Sequence, residues 1–318
     1  MALGAPLLGA AGAARAGAFP NAPVKMVVPY AAGGGADAVA RLLGQGMGAE
    51  LKQSFIVDNR AGAGGMLGAA LVARAPADGY TVLFAGNPEL TITPWLQPQA
   101  SYAPLTDFTP VVLVSQSPNL LVADPALGGG KLREALEAAR KRPGGISIGT
   151  PGNGSPQHIA VELMRAKTGL DITHVPYKGA GPATVAVLGG EIAFALAGAP
   201  PLLPHIASGK LAALAVTQPK RSPLAPQVPT LGEALGIMGD DDLVTWYGLL
   251  VPARTPPEVA GSLEAAASTF LKRPETREKF ASLGTDLVGM PGAQFAERMR
   301  RESRQYGEII QRFGIKAG

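Results

Sequence analysis

Short β-branched runs alternate along the chain with stretches in which apolar residues recur at helical spacing. The run Val24–Val28 predicts a strand, and Val39, Leu43 and Met47 then mark one face of a helix. Similar runs predict further strands at 55–57, 80–84, 111–114, 120–122, 146–148, 171–175, 192–196, 211–216 and 246–251. Strands that alternate with helices in this way are typical of an α/β protein.

The last part of the chain is predicted to be helical. Thr255 is expected to cap a helix that begins with Pro256 and Pro257, because threonine is a good N-cap and proline suits the first helical turn. Everything after this start is expected to be helix. One apolar face of the final helix comprises Phe295, Met299, Tyr306, Ile309, Ile310 and Phe313.

Two glycine-rich turns, at 29–37 and 149–158, each follow a predicted strand and lead into a predicted helix. Backbone N–H groups at the start of a helix lack partners within the helix and carry a partial positive charge. Glycines allow a ligand to approach those groups closely. Two such turns facing each other would clamp a small anion. Their glycines are Gly33, Gly34 and Gly35 in the first turn and Gly149, Gly152 and Gly154 in the second.

Polar side chains accompany both turns, and each has a structural as well as a functional interpretation. Ser155 before Pro156 is a strong helix-start signal, which helices without a ligand also carry. Asp37 either complements the dipole of the first helix or orders the loop and its waters. Tyr30 and Tyr177 lie at strand ends, where they either pack in the core or flank a carboxylate ligand.

Several kinds of chemistry are excluded or disfavoured. The chain has no cysteine, which excludes thiol catalysis and iron–sulfur clusters. No Gly-Lys-Ser/Thr follows either turn, and the segment at 62–67 lacks the third glycine of a dinucleotide fingerprint. Ser155 is not part of a Gly-x-Ser-x-Gly elbow, so a Ser-His-Asp hydrolase is disfavoured. His158 and Glu162 lie four residues apart, but no third metal ligand lies nearby in sequence. We therefore expect no metal, no cofactor and no catalytic residues.

Length and composition indicate two domains of ordinary size. The chain has 318 residues, of which 47% are hydrophobic and only 5% aromatic. The net charge of +4 is spread along the chain without a dense basic block, so no nucleic-acid partner is expected. No segment after the first eighteen residues approaches the uninterrupted apolar length of a membrane span.

The first eighteen residues are almost only alanine, glycine and leucine. The stretches at 14–16 and 16–18 fit the small-x-small cleavage pattern of an export signal. The basic region that begins such signals is missing, and a disordered Ala/Gly tail is the alternative. The pattern predicts an exported protein.

Segments along most of the chain together resemble the Bug-type extracytoplasmic solute receptors of the tripartite tricarboxylate transporter system. The resemblance runs from about Phe19 to the C-terminus, and the order and spacing of the segments carry it. They are Val28-Pro29-Tyr30-Ala31-Ala32-Gly33-Gly34 with Asp37 and Arg41, 59–65, 107–111, Gly154-Ser155 with His158, 174–179, 203–206, 209–211, 228–230 and 246–249.

The resemblance implies a two-domain periplasmic-binding-protein fold of type II, in which two α/β domains joined by two crossover strands close on a ligand like a Venus flytrap. Residues 19–121 and 249–318 are expected to form domain 1 and residues 122–248 domain 2, after a signal-peptide remnant or disordered tail at 1–18. Receptors of this family hold carboxylates through backbone amides and bridging waters. The expected ligand-binding residues are Tyr30, Ala32, Gly33, Gly34, Asp37, Asn87, Gly152, Asn153, Gly154, Ser155, His158, Tyr177 and Ala199.

Three segments depart from the usual pattern of the family. Ala193 stands where an aspartate is usual, the segment 195–201 is unusually apolar for a loop that lines the cleft, and 240–242 is a run of three aspartates. The first change favours a ligand with a more apolar body. Specificity is expected to lie in the turn at 86–88, the segment 197–201 and the bound waters.

We hypothesise a periplasmic solute-binding receptor, a monomer and not an enzyme, that passes its ligand to the permease subunits of a membrane transporter. The ligand is a small carboxylate, which leaves dicarboxylates, tricarboxylates, amino acids and aromatic acids open. The alternative is a cytoplasmic α/β enzyme that binds a phosphorylated or carboxylate metabolite in the same turns. A sensory role, in which ligand occupancy is reported to a membrane kinase, also stays open.

Overall fold

Two β-sheets organise the protein. The computed structural model describes residues 19–97, 101–237 and 243–316, so the predicted export signal at 1–18 and the acidic run at 240–242 lie outside the described residues. The strands are β1 (Val24–Val28), β2 (Phe55–Asn59), β3 (Thr81–Gly86), β4 (Phe108–Ser117), β5 (Asn119–Ala123), β6 (Ile146–Thr150), β7 (Ile172–Pro176), β8 (Phe194–Gly198), β9 (Ala212–Val216), β10 (Thr245–Pro252) and β11 (Asp286–Pro291). Each predicted strand overlaps one of these.

Helices connect most of the strands. They are α1 (Gly35–Leu51), α2 (Met66–Ala73), α3 (Thr93–Leu96), α4 (Pro104–Asp107), α5 (Leu132–Arg140), α6 (Pro156–Thr168), α7 (Ala180–Leu188), α8 (Ala199–Ala207), α9 (Leu231–Leu235), α10 (Pro257–Leu271), α11 (Pro274–Ser282) and α12 (Gly292–Phe313). Short 3-10 turns form at Ala63–Gly65 and Pro125–Leu127, and a π-helical turn forms at Pro88–Ile92. No helix among the described residues has both the length and the apolar character needed to cross a membrane.

The two sheets share one plan. The six-stranded sheet has the order β11-β4-β10-β3-β1-β2, and the five-stranded sheet has the order β7-β6-β8-β5-β9. We call the parts of the protein around these sheets the first lobe and the second lobe. β10 is antiparallel to both of its neighbours β3 and β4, and β5 is antiparallel to both of its neighbours β8 and β9. Each of these two strands follows a segment of the other lobe, which makes them the two crossover strands. The predicted type II fold class is confirmed.

The predicted domain boundaries fall inside the crossover strands. The division at 121/122 lies within β5, and the division at 248/249 lies within β10. Because a crossover strand belongs to the sheet of one lobe and is covalently continuous with the other, sheet membership alone does not fix a boundary. The boundaries stay a prediction.

The central strands are apolar on both faces because helices cover both sides of each sheet. Val24, Met26, Val27 and Val28 of β1 are all fully buried. One face of β1 packs against the apolar residues of α1, and Val27 on the other face packs against α2. β1 and α1 together hold the first glycine-rich turn at a fixed place at the edge of the sheet.

Helix α12 joins the cores of the two lobes. Phe295 and Met299 in its first half belong to the core of the first lobe. Tyr306, Ile309 and Ile310 in its second half belong to the core of the second lobe. The predicted apolar face is therefore confirmed, and it is divided between two cores.

Buried polar contacts attach α12 to both crossover connections. The indole Nε1 of Trp246, at the start of β10, donates to Oε2 of Glu302 over 2.6 Å. Nη1 of Arg298 donates to Oε1 of Gln116, near the end of β4, over 3.2 Å. The helix, the end of β4 and the start of β10 therefore form one connected unit between the lobes.

Two predictions for the last part of the chain are wrong. This part is not all helix, because β11 pairs with β4 at the edge of the six-stranded sheet. Gly289 in β11 has a positive φ of 64°, and the register with β4 shifts between Leu287 and Met290, so the strand lacks a clear alternating pattern. Thr255 is not the N-cap of α10, since Pro256 occupies that position.

We predict that Gly46→Ala destabilises the protein. A Cβ at Gly46 in α1 would lie inside van der Waals contact with the ring of Phe270 in α10. Overpacking of this kind costs about 1–3 kcal/mol, against a gain in helix propensity of about 1 kcal/mol. Urea unfolding should therefore show a net loss in the free energy of unfolding.

Gly261→Ala is the matched control, because a Cβ at Gly261 in α10 has no atom within 4 Å. This variant gains helix propensity without a clash and should be as stable as the wild type or more stable. Equal stability of the two variants would contradict the close packing of α1 on α10.

Candidate functional site

The candidate site lies where the starts of α1 and α6 meet the opposite lobes. A Cβ built on Gly35, the first residue of α1, would lie 3.8 Å from Cγ of Pro200 in the second lobe. A Cβ built on Gly154, just before α6, would lie 3.0 Å from Oγ1 of Thr93 in the first lobe. Each glycine-rich turn therefore faces the other lobe across a narrow cleft, at the carboxyl ends of β1 and β6.

Asp37 organises the first turn. Its Oδ2 accepts the N–H of Gly33 over 2.9 Å and Nε of Arg41 over 3.0 Å. Its Oδ1 accepts Nδ2 of Asn59 over 3.0 Å. The same Nδ2 also donates to the carbonyl oxygen of Tyr30 over 3.1 Å. Asp37 thus ties the two ends of the turn together, which supports its interpretation as a residue that orders the loop.

The carboxylate of Asp37 stays ionised although it is only 5% exposed. Burial opposes its ionisation, but the hydrogen bonds from Arg41, Gly33 and Asn59 outweigh burial and lower the pKa of Asp37. The amide of Gly33 is occupied by this carboxylate. The amides that point out of the first turn of α1 towards the cleft therefore begin with Gly34.

Ser155 organises the second turn in a different way. Its Oγ accepts the N–H of His158 over 3.1 Å, as expected of an N-cap, and donates to the carbonyl oxygen of Gly152 over 2.7 Å. Nδ1 of His158 accepts the N–H of Gly154 over 3.2 Å. The hydroxyl hydrogen of Ser155 and the lone pair of His158 are thus used within the turn.

His174 completes the support beneath the second turn. Its ring stacks on the ring of His158 with centroids 4.4 Å apart. Its Nε2 lies 2.7 Å from Oγ1 of Thr150, which also accepts the N–H of Gly152 over 3.3 Å. His174 comes next to the turn because β7 pairs with β6, where it lies opposite Ile148. The second turn is held by neutral groups, whereas the first is held by charged ones.

His158, Glu162 and His174 bring their ligand atoms within 4.8 Å of one another, so the third potential metal ligand that the sequence seemed to lack is present. The surrounding hydrogen bonds do not suit a metal. Nδ1 of His158 receives an N–H, so the neutral ring carries its proton on Nε2 and offers no lone pair there. Glu162 is paired with Arg165 over 2.5 Å. The cluster is better explained as packing beneath the turn.

Tyr30 reaches a buried carboxyl group that sequence reasoning missed. Its hydroxyl lies 2.7 Å and 2.8 Å from the two carboxyl oxygens of Glu89, in the π-helical turn after β3. Oε1 of Glu89 also accepts the N–H of Gly86 over 2.7 Å. Fifty-nine residues separate Tyr30 from Glu89, so no local pattern relates them.

Two other residues at the site were also missed. Asn59 links Tyr30 to Asp37. It is a polar residue at the end of a strand and beside a glycine-rich turn, and this is the sequence signal that could have identified it. Thr93 is 3% exposed, and its Oγ1 has no hydrogen-bond partner among the described residues although it lies beside Gly64 and Gly154. It is a candidate to bind a ligand or a water between the lobes.

The remaining predicted site residues divide into exposed and buried groups. Ala32 and Asn153 are exposed at the tips of the two turns, and Tyr177 is half-buried against Gly149. Ala199 is buried at the start of α8, where its N–H donates to the carbonyl oxygen of Pro118 over 3.0 Å.

Asn87 is fully buried. Its Nδ2 donates to the carbonyl oxygen of Val244 over 2.7 Å and to the hydroxyl of Tyr306 over 3.4 Å. The structure therefore places Asn87 against the connection between the lobes. Its predicted contact with a ligand stays a prediction.

Comparison with known proteins identifies relatives of this architecture. A family model described as "Tripartite tricarboxylate transporter family receptor" matches residues 39–315. The BugT protein of Bordetella pertussis is 33% identical over 311 residues, which cover 97% of this chain and 94% of BugT.

Solved structures of similar proteins include two with bound ligands. R. palustris Rpa4515 with adipate is 31% identical, has a TM-score of 0.86, and is matched over 94% of this chain and 99% of its own. MatC from Rhodopseudomonas palustris with bound malate is 30% identical, has a TM-score of 0.81, and is matched over 92% of this chain and all of its own.

We predict that the stacked histidines make stability fall in acid. Burial, with the charge of Arg165, lowers the pKa of His158 to about 4, and burial together with the neighbouring ring lowers the pKa of His174 to about 4. An unfolded histidine has a pKa of about 6.5. Between pH 6.5 and 4 the unfolded chain therefore binds protons that the folded protein does not. The free energy of unfolding should fall through this window by up to about 1.4 kcal/mol per pH unit for each histidine.

Urea unfolding between pH 7.5 and 4.5 measures this slope. His174→Gln should reduce the slope relative to the wild type, while His205→Gln, on α8, should leave it unchanged. A slope that is the same in all three proteins would show that the pair is not responsible.

Proposed function

The chain belongs to the tripartite tricarboxylate transporter receptor family, and from this premise we propose that it captures a small carboxylate between its lobes and delivers it to the permease of a membrane transporter. The family consists of periplasmic solute-binding receptors, so this chain is a receptor of that kind and not an enzyme. The specific ligand, the permease as partner and the monomeric state belong to the proposal, as does export by the segment at 1–18.

One observation carries the proposal: two helix starts with glycine-rich turns each face the opposite lobe. The amides of the first turn of α1 are available from Gly34 onward. In the second turn the N–H groups of Gly152, Gly154, Ser155 and His158 are donated within the turn, and Pro156 has none, which leaves the amides of Asn153 and Gln157 for a ligand. Amides at helix starts favour an anion. A ligand that contacts both turns stabilises the closed arrangement over an open one, because half of its contacts are lost when the lobes separate.

The ligand class that we propose is a small carboxylic acid with an apolar body. Solved relatives carry adipate and malate, so carboxylates are the first class to test. In this chain the side chains of Ala195, Ala197 and Ala199 are fully buried in the apolar core of the second lobe, so this segment offers no polar side chain to a ligand. Polar recognition is therefore concentrated at the two turns, which bind a carboxylate group and select little else.

The predicted ligand-binding residues have different roles in this proposal. Gly34 and Asn153 contribute backbone amides at the open edges of the turns, whereas the N–H of Gly154 is already donated to His158. Asp37, Ser155 and His158 act by holding the turns, because their polar atoms bond to backbone groups of the turns and, for Asp37, also to Arg41 and Asn59. Tyr30 and Tyr177 flank the two turns.

A thermal-shift screen of the purified protein tests the proposed class. The panel contains adipate, malate, citrate, glutamate and benzoate, with sugar phosphates and nucleotides as controls. A compound that binds only the folded state raises the melting temperature by mass action. A shift with carboxylates alone supports the receptor, whereas a shift with phosphates or nucleotides alone contradicts it. The protein is first unfolded and refolded, so that a co-purified ligand does not mask the panel.

We predict that Gly34→Val abolishes carboxylate binding without unfolding the protein. Gly34 has a φ of −84°, and the nearest atom to an added Cβ is the carbonyl oxygen of Ala31 at 3.6 Å, so the fold accepts a side chain there. The two methyl groups would cover the amides of the first turn. Titration calorimetry with adipate and with malate should show at least a hundredfold loss in affinity, which corresponds to about 3 kcal/mol.

Gly261→Val provides the control, because it adds the same side chain on α10 at a position with open surroundings. Both variants should have melting temperatures close to that of the wild type in the absence of ligand. Wild-type affinity in a folded Gly34→Val protein would rule out the amides of α1 as the binding groups.

A further inference from the structure

A buried carboxyl group lies beneath the first turn of the site. Glu89 is fully buried and belongs to the π-helical turn at Pro88–Ile92, which follows β3 at its carboxyl end. Single π-helical turns are often found at functional sites. The side chain therefore lies at the floor of the cleft, on the same edge of the sheet as the first glycine-rich turn.

Neutral groups surround this carboxyl. The hydroxyl of Tyr30 lies within hydrogen-bond distance of both oxygens, and the N–H of Gly86 donates to Oε1. The titratable groups that face Glu89 are tyrosines: Tyr30 from the end of β1, Tyr247 from β10 and Tyr102, whose hydroxyl donates to the backbone carbonyl of Glu89 over 2.6 Å. Among the described residues, no lysine, arginine or histidine forms an ion pair with it.

A chain of hydrogen bonds connects Glu89 to the first glycine-rich turn, where the ligand is proposed to bind. Tyr30 contacts Glu89 through its hydroxyl, and its carbonyl oxygen accepts Nδ2 of Asn59. Asn59 in turn donates to Asp37, which holds the amide of Gly33. A Cβ on Gly65 would lie 2.7 Å from Oε2 of Glu89, so the next loop of the first lobe packs directly on the carboxyl.

The pKa of a buried carboxyl group rises further when a second negative charge comes close to it. Burial raises the pKa of Glu89 to about 7, although the N–H of Gly86 and the hydroxyl of Tyr30 partly offset this effect. The group is therefore ionised in part of the molecules at neutral pH. An anion bound at the first turn of α1 disfavours the ionised form further, because like charges in a poorly solvated cleft repel.

We propose that Glu89 takes up a proton when the lobes close on a carboxylate, so that this receptor captures its ligand together with a proton and binds it more weakly as the pH rises above neutrality. The inference rests on the proposed function and adds a coupling to it. The proton moves from solvent to a carboxyl oxygen of Glu89, and the ligand itself stays ionised. By linkage, the ligand raises the proton affinity of Glu89 by the same factor as the proton raises the affinity for the ligand.

Calorimetry on the wild type tests the coupling without any substitution. Binding of adipate, and separately of malate, is measured in phosphate and in Tris, whose ionisation enthalpies differ, at pH 7 and pH 8. The difference between buffers gives the number of protons taken up. We expect up to about half a proton per ligand at pH 7 and up to about one at pH 8, with a dissociation constant that rises by up to tenfold between pH 7.5 and pH 8.5.

Glu89→Gln assigns the proton to its residue. The glutamine amide has the same shape as the glutamate carboxyl. Its oxygen can accept the N–H of Gly86, and its NH₂ can donate to the hydroxyl of Tyr30. This variant should bind the same carboxylate with no proton uptake and with an affinity independent of pH. Glu50→Gln, near the far end of α1, is the control and should keep the wild-type uptake.

The outcomes separate the two ideas. Carboxylate binding without proton uptake by the wild type overturns the coupling and leaves the receptor function intact. Uptake that persists in Glu89→Gln shows that another group takes the proton, which also overturns the assignment. Failure of every carboxylate to bind at either pH contradicts the proposed function itself, and the coupling falls with it.

Discussion

The structure depends on keeping the unpaired amides at two helix starts rigid and yet open to a solute. In each lobe, side chains of the same lobe form hydrogen bonds with the other polar groups of the glycine-rich turn. In the first lobe an ionised Asp37, supported by Arg41 and Asn59, closes the turn. In the second lobe Ser155 and the neutral His158 do so. Because a charged network is screened by salt and a neutral one is not, the two halves of one site respond differently to the same solvent.

This asymmetry also distributes charge across the cleft. The first lobe carries the buried carboxyl of Glu89 and the carboxylate of Asp37 behind its amides, whereas the second lobe carries an uncharged histidine pair in the corresponding place. The amides of both lobes therefore attract an anion, but only the first lobe has negative groups behind its amides that repel it. The negative groups of the first lobe offset part of the positive potential at the start of α1. The affinity for an anion therefore depends on how far these groups are neutralised.

The elements whose signals are local were predictable from the sequence. β1 and β6 have dense β-branched runs, and Ser155-Pro156 and Gly34-Gly35 mark the helix starts that the structure contains. The apolar face of α12 was equally clear, although its division between two cores was not.

The parts that escaped prediction depend on long-range contacts. β11 is held by its pairing with β4 and carries a positive φ at Gly289, so its own pattern is weak. His174 supports the second turn only because β7 lies beside β6, and Glu89 reaches Tyr30 across 59 residues. Chemistry at the floor of the cleft is thus assembled by topology, and single-residue patterns do not reveal it.

Helix α12 limits how the protein can open. Its 22 residues form a rod of roughly 33 Å, since a helix rises 1.5 Å per residue and does not stretch. One end of this rod is embedded in each core, and polar contacts fasten its middle to the crossover connections. A helix embedded in both cores resists any change in the distance between its two ends, so α12 favours bending or rotation of one lobe against the other over their separation along its axis.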